Sequence, residues 1–158
     1  MGPAPGRPFH SLKITAEVGR GAAAFRAAGD AILSLDMQRG AGLGMRADHE
    51  PVQVGDVVRI RMGLRPFAVS GSCDVTEVFS EDRRTGFTYR TRPDHPEDGT
   101  ETFQAHWLTD DRVLVTIDAK SRPNSWLTRL GGPIARLAQR VISRRYLASA
   151  RRIVARSA

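Results

Sequence analysis

The sequence predicts an α+β domain in which a curved antiparallel sheet of six or seven strands packs around one long C-terminal helix. Between Val52 and Ala119, apolar and polar residues alternate in segments broken by short turns, the period of half-buried strands. From Ser125 onward the apolar spacing lengthens to that of a helix. A strand and an alanine-rich helix precede both, so the order is strand, helix, strands, long helix. A chain of 158 residues hides roughly two thirds of its unfolded surface, enough for one core without disulfide or metal staples. Residues 1–10, rich in Gly and Pro, are expected to be a flexible tail, and residues 11–158 a single domain.

Leu12 to Val18 reads as a strand. In AAAFRAAGDAILSLDM, Phe25, Ala28, Ile32 and Leu35 recur at helical spacing, with Gly29 weakening the helix and Gly40, Gly42 and Gly44 ending it. In VVRIRMGL, Val58, Ile60 and Met62 face one way and Arg59 and Arg61 the other. Val69 to Phe79 is the next strand, and Glu81 to Arg84 make a charged turn before Gly86 to Thr91. The corner Pro93 to Gly99 leads to a strand from Thr100 to Leu108, and Asp110-Asp111 turns the chain into Val113 to Ala119. Ser121 to Ser125 offers helix-cap chemistry. The final helix carries an apolar stripe through Leu127, Leu130, Ile134, Leu137 and Val141, broadened by Ile142, Tyr146 and Ile153, with a kink or fresh start expected at Gly131-Gly132-Pro133.

The net charge of +7 is unevenly spread. Residues 119–158 hold ten Lys or Arg and no acid, whereas residues 1–118 hold fourteen basic and seventeen acidic groups. Cys73 is the single cysteine, so no intramolecular disulfide forms, and a reducing, cytoplasmic setting is expected. The N-terminal residues have no apolar core and do not read as a signal peptide. The histidines at 10, 49, 95 and 106 lack paired ligand spacing, and neither a phosphate-cradling loop nor a GxSxG elbow occurs. No metal or cofactor is therefore expected.

The segment GFTYRTRPDHPEDGTETF resembles the hallmark stretch of a bacterial and plant family catalogued as domain of unknown function 1990. It matches that motif at Gly86, Phe87, Tyr89, Thr91, Pro93, His95, Pro96, Gly99, Glu101 and Phe103. Gly19-Arg20-Gly21 with Phe25 and Ala28, Ser121-Arg122-Pro123, and Gln139 with Arg145-Tyr146 agree in order. Arg90, Arg92, Asp94 and Thr100 depart from the motif, and Leu35 stands where a tryptophan is usual. The element order is also similar, more loosely, to the helix-grip fold of START and Bet v 1 proteins. That resemblance implies an apolar cavity between sheet and long helix, used for lipids, polyketides or plant hormones.

His95, in a corner stiffened by Pro93 and Pro96, has two readings. It transfers a proton or orients a ligand near neutral pH, with Glu101 or Asp94 as partner, or it caps the corner. Phe103, Ala105 and Trp107 share the apolar face of their strand, which sends His106 and Gln104 outward. Arg90 and Arg92 are expected on an exposed face, whereas Arg122 either clamps a carboxylate at a cavity mouth or pairs locally. Arg136, Arg140, Arg144 and Arg151 share one helical face that holds phosphates or is simply solvated.

The leading expectation is a binding module for a small apolar or amphipathic molecule, with Tyr89, Phe103, Trp107, Met62, Ile117 and Arg122 around the ligand. The alternative is a cofactor-independent cyclase, dehydratase or isomerase of secondary metabolism using His95 with Glu101 or Asp94. A third reading is electrostatic binding of nucleic acid or an anionic membrane through the arginine-rich helix.

Overall fold

The computed structural model describes residues 8–63, 68–123 and 132–157 of the chain. Strand β1 (His10–Arg20) turns inward through Leu12, Ile14, Ala16 and Val18. It runs into α1 (Gly21–Leu33) and the short α2 (Asp36–Gly40). Then follow β2 (Gly44–Ala47), β3 (Val57–Met62), β4 (Val69–Ser80), β5 (Arg84–Thr91), β6 (Glu97–Trp107), β7 (Arg112–Pro123) and α3 (Gly132–Arg156). The strands form one seven-stranded sheet in the order β1-β7-β6-β5-β4-β3-β2, every neighbouring pair antiparallel.

Six of these strands, β2 to β7, make a meander, and the two helices after β1 carry the chain from one sheet edge to the other. Bulges between Glu17 and Gly19 in β1 and between Val75 and Glu77 in β4 add a residue to one strand and bend the sheet. The single helix expected from Gly21 is instead two. Leu35 adopts a left-handed conformation (φ 67°) while fully buried, which redirects the chain so that Met37 and Gln38 also enter the core. For a leucine that conformation costs roughly 1–2 kcal/mol, which core packing offsets. β2 was not anticipated either, because its glycine-rich approach hides the alternation of Met45 and Ala47, which pair with Ile60 and Val58. The expected cap at Ser121 to Pro123 is still strand, paired with Glu97 to Gly99.

The core is built from inward-facing strand residues and the helices laid on them. Phe103 is its hub, with ring centroids 5.4 Å from Phe87, 5.6 Å from Tyr89 and 5.3 Å from Tyr146 of α3. Of the stripe expected of it, the helix buries Tyr146 and half-buries Ile142 and Ile153, but leaves its N-terminal part open. Ile134, Leu137 and Val141 are 75%, 61% and 41% exposed, and Leu127 and Leu130 lie outside the described residues. The buried face is Ser143, Tyr146, Leu147, Ala150 and Val154, recurring every three or four residues. Ser143, Ser149 and Ala150 on this face are small, and hydrophobicity alone does not mark them as buried. Among the described residues no helix is long and apolar enough to cross a membrane.

One buried acid organises the turn between β2 and β3. Asp56 accepts hydrogen bonds from the backbone amides of Gln53 (2.9 Å) and His49 (3.2 Å) and lies 2.7 Å from His49 Nδ1. Burial alone would raise the Asp56 pKa, but the His49 and Gln53 hydrogen bonds together leave it lowered. His49 is raised above 6.5, chiefly by its hydrogen bond to Asp56. This pair therefore stabilises the fold fully between about pH 3.8 and 6.5, and loses that contribution as pH rises through the His49 midpoint or falls through that of Asp56. We expect an NMR titration to place His49 above 6.5 and Asp56→Asn to return it toward that value. A midpoint that ignores the substitution would refute the pairing. Phe103→Ala should lower the unfolding free energy by about 3–5 kcal/mol in denaturant titration, since it empties the position that three rings share.

Candidate ligand cavity

The N-terminal half of α3 stands away from the sheet, and a cavity of about 300 Å³ lies between them. Leu43, Ile60, Met62 and Val69 wall one side, and Ala138, Ile142 and Tyr146 of α3 the other. Polar groups converge at one end: Tyr89 from β5, Glu97 and Glu101 from β6, His95 and Pro96 from the corner between them, and Gln139 and Ser143 from α3. A smaller recess of about 60 Å³ continues from this end past Thr91, Gly99 and Ser121. The volume is at the lower end of the range for small-molecule sites, roughly 300–1,000 Å³.

Strand register creates the polar end. Tyr89 and Glu101 are directly opposite in the β5–β6 ladder, two residues before the Phe87–Phe103 pair, so all four point inward. The Tyr89 hydroxyl donates to Glu101 Oε2 at 2.8 Å. Glu101 keeps part of its surface accessible and lines the cavity, yet protein encloses the carboxyl, and this desolvation pushes its pKa up to about 7 against the downward pull of the Tyr89 hydrogen bond. Burial also holds the phenols of Tyr89 and Tyr146 well above their usual range, with the charge of Glu101 acting in the same direction.

His95 both lines the cavity and ties the corner. Its Nδ1 lies 3.0 Å from the Glu97 amide and 3.1 Å from the Glu97 carbonyl, and the His95 amide donates to the Arg92 carbonyl at 2.9 Å. Burial lowers its pKa below 6.5, opposed by the Glu97 backbone and by Asp94, so the ring is neutral at pH 7. The ring packs on Gly71, where a β-carbon would stand 2.9 Å from both Cα and Cδ2 of His95. Glycine at 71 is what lets the histidine enter.

The structure thus brings together His95, Glu101, Tyr89 and Met62, and places the remaining expected residues elsewhere. Asp94 diverges from His95 because it follows the next residue of β4: Ser72 points away from the cavity and donates to Asp94 through its hydroxyl (2.8 Å) and amide (3.2 Å). That hydroxyl is the main reason the Asp94 pKa is lowered. Phe103 and Ile117 are fully buried behind the cavity wall. Trp107 faces inward as expected, but beneath α1 at the far end of β6. There it stacks on Phe25 (5.9 Å) and donates from Nε1 to Asp111 (3.0 Å). Arg122 lies on the outer sheet face, donating to Asp98 at 2.8 Å with its guanidinium 4.8 Å from the Phe9 ring. It pairs locally.

Sequence reasoning did not reach Leu43, Ile60, Glu97, Ala138, Ile142 or Ser143 as lining residues. The two-residue period reaches Glu97 from Glu101, and Gln139 and Tyr146 stood in the family resemblance without a role. Arg136, Arg140 and Arg144 are exposed, whereas Arg151 donates to the Glu17 carbonyl and Arg152 to that of Gly40, each at 3.0 Å. Among the described residues, no group of three His, Cys, Asp or Glu is arranged to hold a metal ion. Cys73 is fully buried, and desolvation raises its thiol pKa.

A seven-stranded antiparallel sheet gripping a C-terminal helix defines the Bet v 1-like class of α+β proteins. Within it the chain belongs to the family described as Domain of unknown function (DUF1990), which matches residues 2–149. A UPF0548 protein of Dictyostelium discoideum is 29% identical over 101 residues, covering 56% of this chain and 47% of its own, so the chain spans about half the length of that curated relative. Among solved structures, a hypothetical protein from Helicobacter pylori superposes with a TM-score of 0.63 at 12% identity, covering 95% of this chain and 88% of that one. Norcoclaurine synthase from Thalictrum flavum, in complex with dopamine and hydroxybenzaldehyde, gives 0.52 at 13% identity, covering 86% and 85%. Ginseng major latex-like protein 151 gives 0.50 at 15%, covering 94% and 96%. At such identities the likeness is one of fold.

Since folding raises the Glu101 pKa from 4.5 to about 7, the folded state holds this proton more tightly than the unfolded chain. The resulting stability is complete below pH 4.5 and is lost as pH rises through about 7. We expect Glu101→Gln to flatten the pH dependence of unfolding free energy across that window. Tyr89→Phe should move the carboxyl titration, followed by carbon NMR, upward, and a downward movement would contradict the hydrogen bond.

Proposed function

We propose that this chain is a binding protein for a small apolar or amphipathic molecule held between the sheet and α3, with residues 11–158 acting as one domain. The observation that carries the reading is the cavity itself: apolar walls of Leu43, Ile60, Met62, Val69 and Ile142 around about 300 Å³, with Tyr89, His95 and Glu101 gathered at one end. A packed protein leaves few voids larger than a water, and a ligand recovers the contacts such walls otherwise lose. That norcoclaurine synthase, a protein of this fold, is solved with dopamine and hydroxybenzaldehyde adds support. The polar end fixes orientation, and the apolar walls supply affinity.

Titration with the neutral fluorophore N-phenyl-1-naphthylamine tests this directly. Binding should be saturable and fall about tenfold or more in Ile142→Trp, which fills the cavity, and should persist in His106→Ala on the exposed outer face. Equal binding by both variants would remove the cavity from consideration, and native mass spectrometry of freshly purified protein would identify any retained molecule.

A second reading uses the same site. A carboxyl titrating near 7 donates and accepts protons with equal ease at neutral pH. Glu101, beside the Tyr89 hydroxyl and with His95 on the same cavity, is then the general acid–base of a cofactor-independent isomerase or dehydratase, and Asp94 takes no part. Glu101→Gln would abolish such turnover while leaving fluorophore binding intact; turnover that survives it would exclude this group.

A further inference from the structure

The polar groups of the cavity are unbalanced in sign, and this deepens the binding reading on which it rests. Glu101 and Glu97 are its ionisable acids, and among the described residues no lysine or arginine lines it. The Tyr89 hydroxyl, the donor nearest the carboxyl, is already committed to Glu101 Oε2. Among the described residues, the other oxygen of Glu101 accepts no hydrogen bond. The strong cations nearby are spent on the outer face, where Arg122 and Arg90 flank Asp98. We propose that the cavity selects an amphipathic amine, its apolar body between Ile60, Met62 and Ile142 and its ammonium donating to Glu101, and that it discriminates against carboxylates.

An ionised carboxylate in an apolar enclosure is costly unless paired. A ligand ammonium supplies a countercharge and a donor for the oxygen that Tyr89 does not reach, and so brings back part of what desolvation took. Desolvation raises the Glu101 pKa, and the Tyr89 hydrogen bond offsets only part of that cost. A ligand carboxylate meets the reverse: like charge at short range, no arginine among the described lining residues to receive it, and repulsion weakly screened by the surrounding protein. Glu97, whose pKa burial also raises, adds to the same field. His95, neutral at pH 7, does not oppose it.

The test uses one apolar body with three heads: phenylbutylamine, phenylbutyrate and phenylbutanol, titrated into the full chain at about pH 8, where Glu101 is ionised, and followed by NMR shifts. The amine is expected to bind about tenfold or more tightly than the carboxylate, with the alcohol between them. In Glu101→Gln the amine should fall to the affinity of the alcohol, whose binding persists. An alcohol that binds while amine and carboxylate are equal overturns the selectivity and leaves the cavity reading standing. A preference that survives Glu101→Gln overturns the assignment to this residue. Failure of all three probes, together with fluorophore binding indifferent to Ile142→Trp, overturns the cavity reading and this inference together. The wild-type comparison decides the sign of the preference without any variant having to fold.

Discussion

The edge-on contact between Phe103 and Tyr146, 5.3 Å between ring centroids, is the interaction on which the site depends. It joins the centre of the sheet to the middle of α3, which packs from there toward its C-terminus through Leu147, Ala150 and Val154. Toward the other end the helix diverges, and Ala138, Gln139 and Ile142 stand across a gap from Ile60, Met62 and Val69. The cavity is thus the wedge between the sheet and the part of the helix that precedes its packed C-terminal half. Interiors normally close-pack, and here the bend of the sheet and the fixed contact together keep the wedge open. Tyr146 is both the hinge side of that wedge and part of its wall.

Strand period then decides what the wedge contains. On β6 the inward positions Glu97, Gly99, Glu101, Phe103, Ala105 and Trp107 change from acidic to aromatic along one face. The apolar half lies under α1 and the aromatic cluster, and the acidic half falls where α3 has moved away. A carboxylate in the packed half would have to be paired or neutral. In the open half it is tolerated at the cost of a pKa near 7 and a hydrogen bond from the cross-strand tyrosine. The same alternation separates neighbours on β4: Gly71 makes room for His95 on the inner side, while Ser72 holds Asp94 on the other.

This alternation is also why much of the architecture was legible in the sequence. The strands from Val57 to Ala119, their antiparallel order and the inward placement of Phe87, Tyr89, Phe103 and Trp107 follow from a period of two, which few residues disturb. β2 escaped because four residues approached through glycines carry too little alternation, and the left-handed Leu35 escaped because its conformation answers to burial, not to local preference. The α3 stripe misled for a related reason. Ile134, Leu137 and Val141 form a good apolar line, yet the helix also buries Ser143, Ser149 and Ala150, which read as polar or neutral in sequence. Hydrophobicity marks what gains from burial, and packing selects what fits.

The candidate site was legible in its chemistry and not in its membership. Tyr89, His95 and Glu101 could be named because they sit in one short motif with titratable groups beside aromatic ones. Which aromatic residues flank a ligand depends on where the helix leaves the sheet, a tertiary quantity without a local signature. Phe103 and Ile117 lie on the correct face but under the packed region, and Trp107 lies on it at the wrong end. Met62, at the strand end opposite the gap, lines the cavity for the same geometric reason that excludes them. Arg122 shows the converse case: one residue from the inward position of Ser121, it is turned outward by strand alternation and neutralised by Asp98. The outer face carries Arg90 and Arg122 beside Asp98, and among the described residues the cavity is lined by Glu97 and Glu101 and by no lysine or arginine. That division of charge across a single sheet follows from strand period and register, and it gives the site its sign.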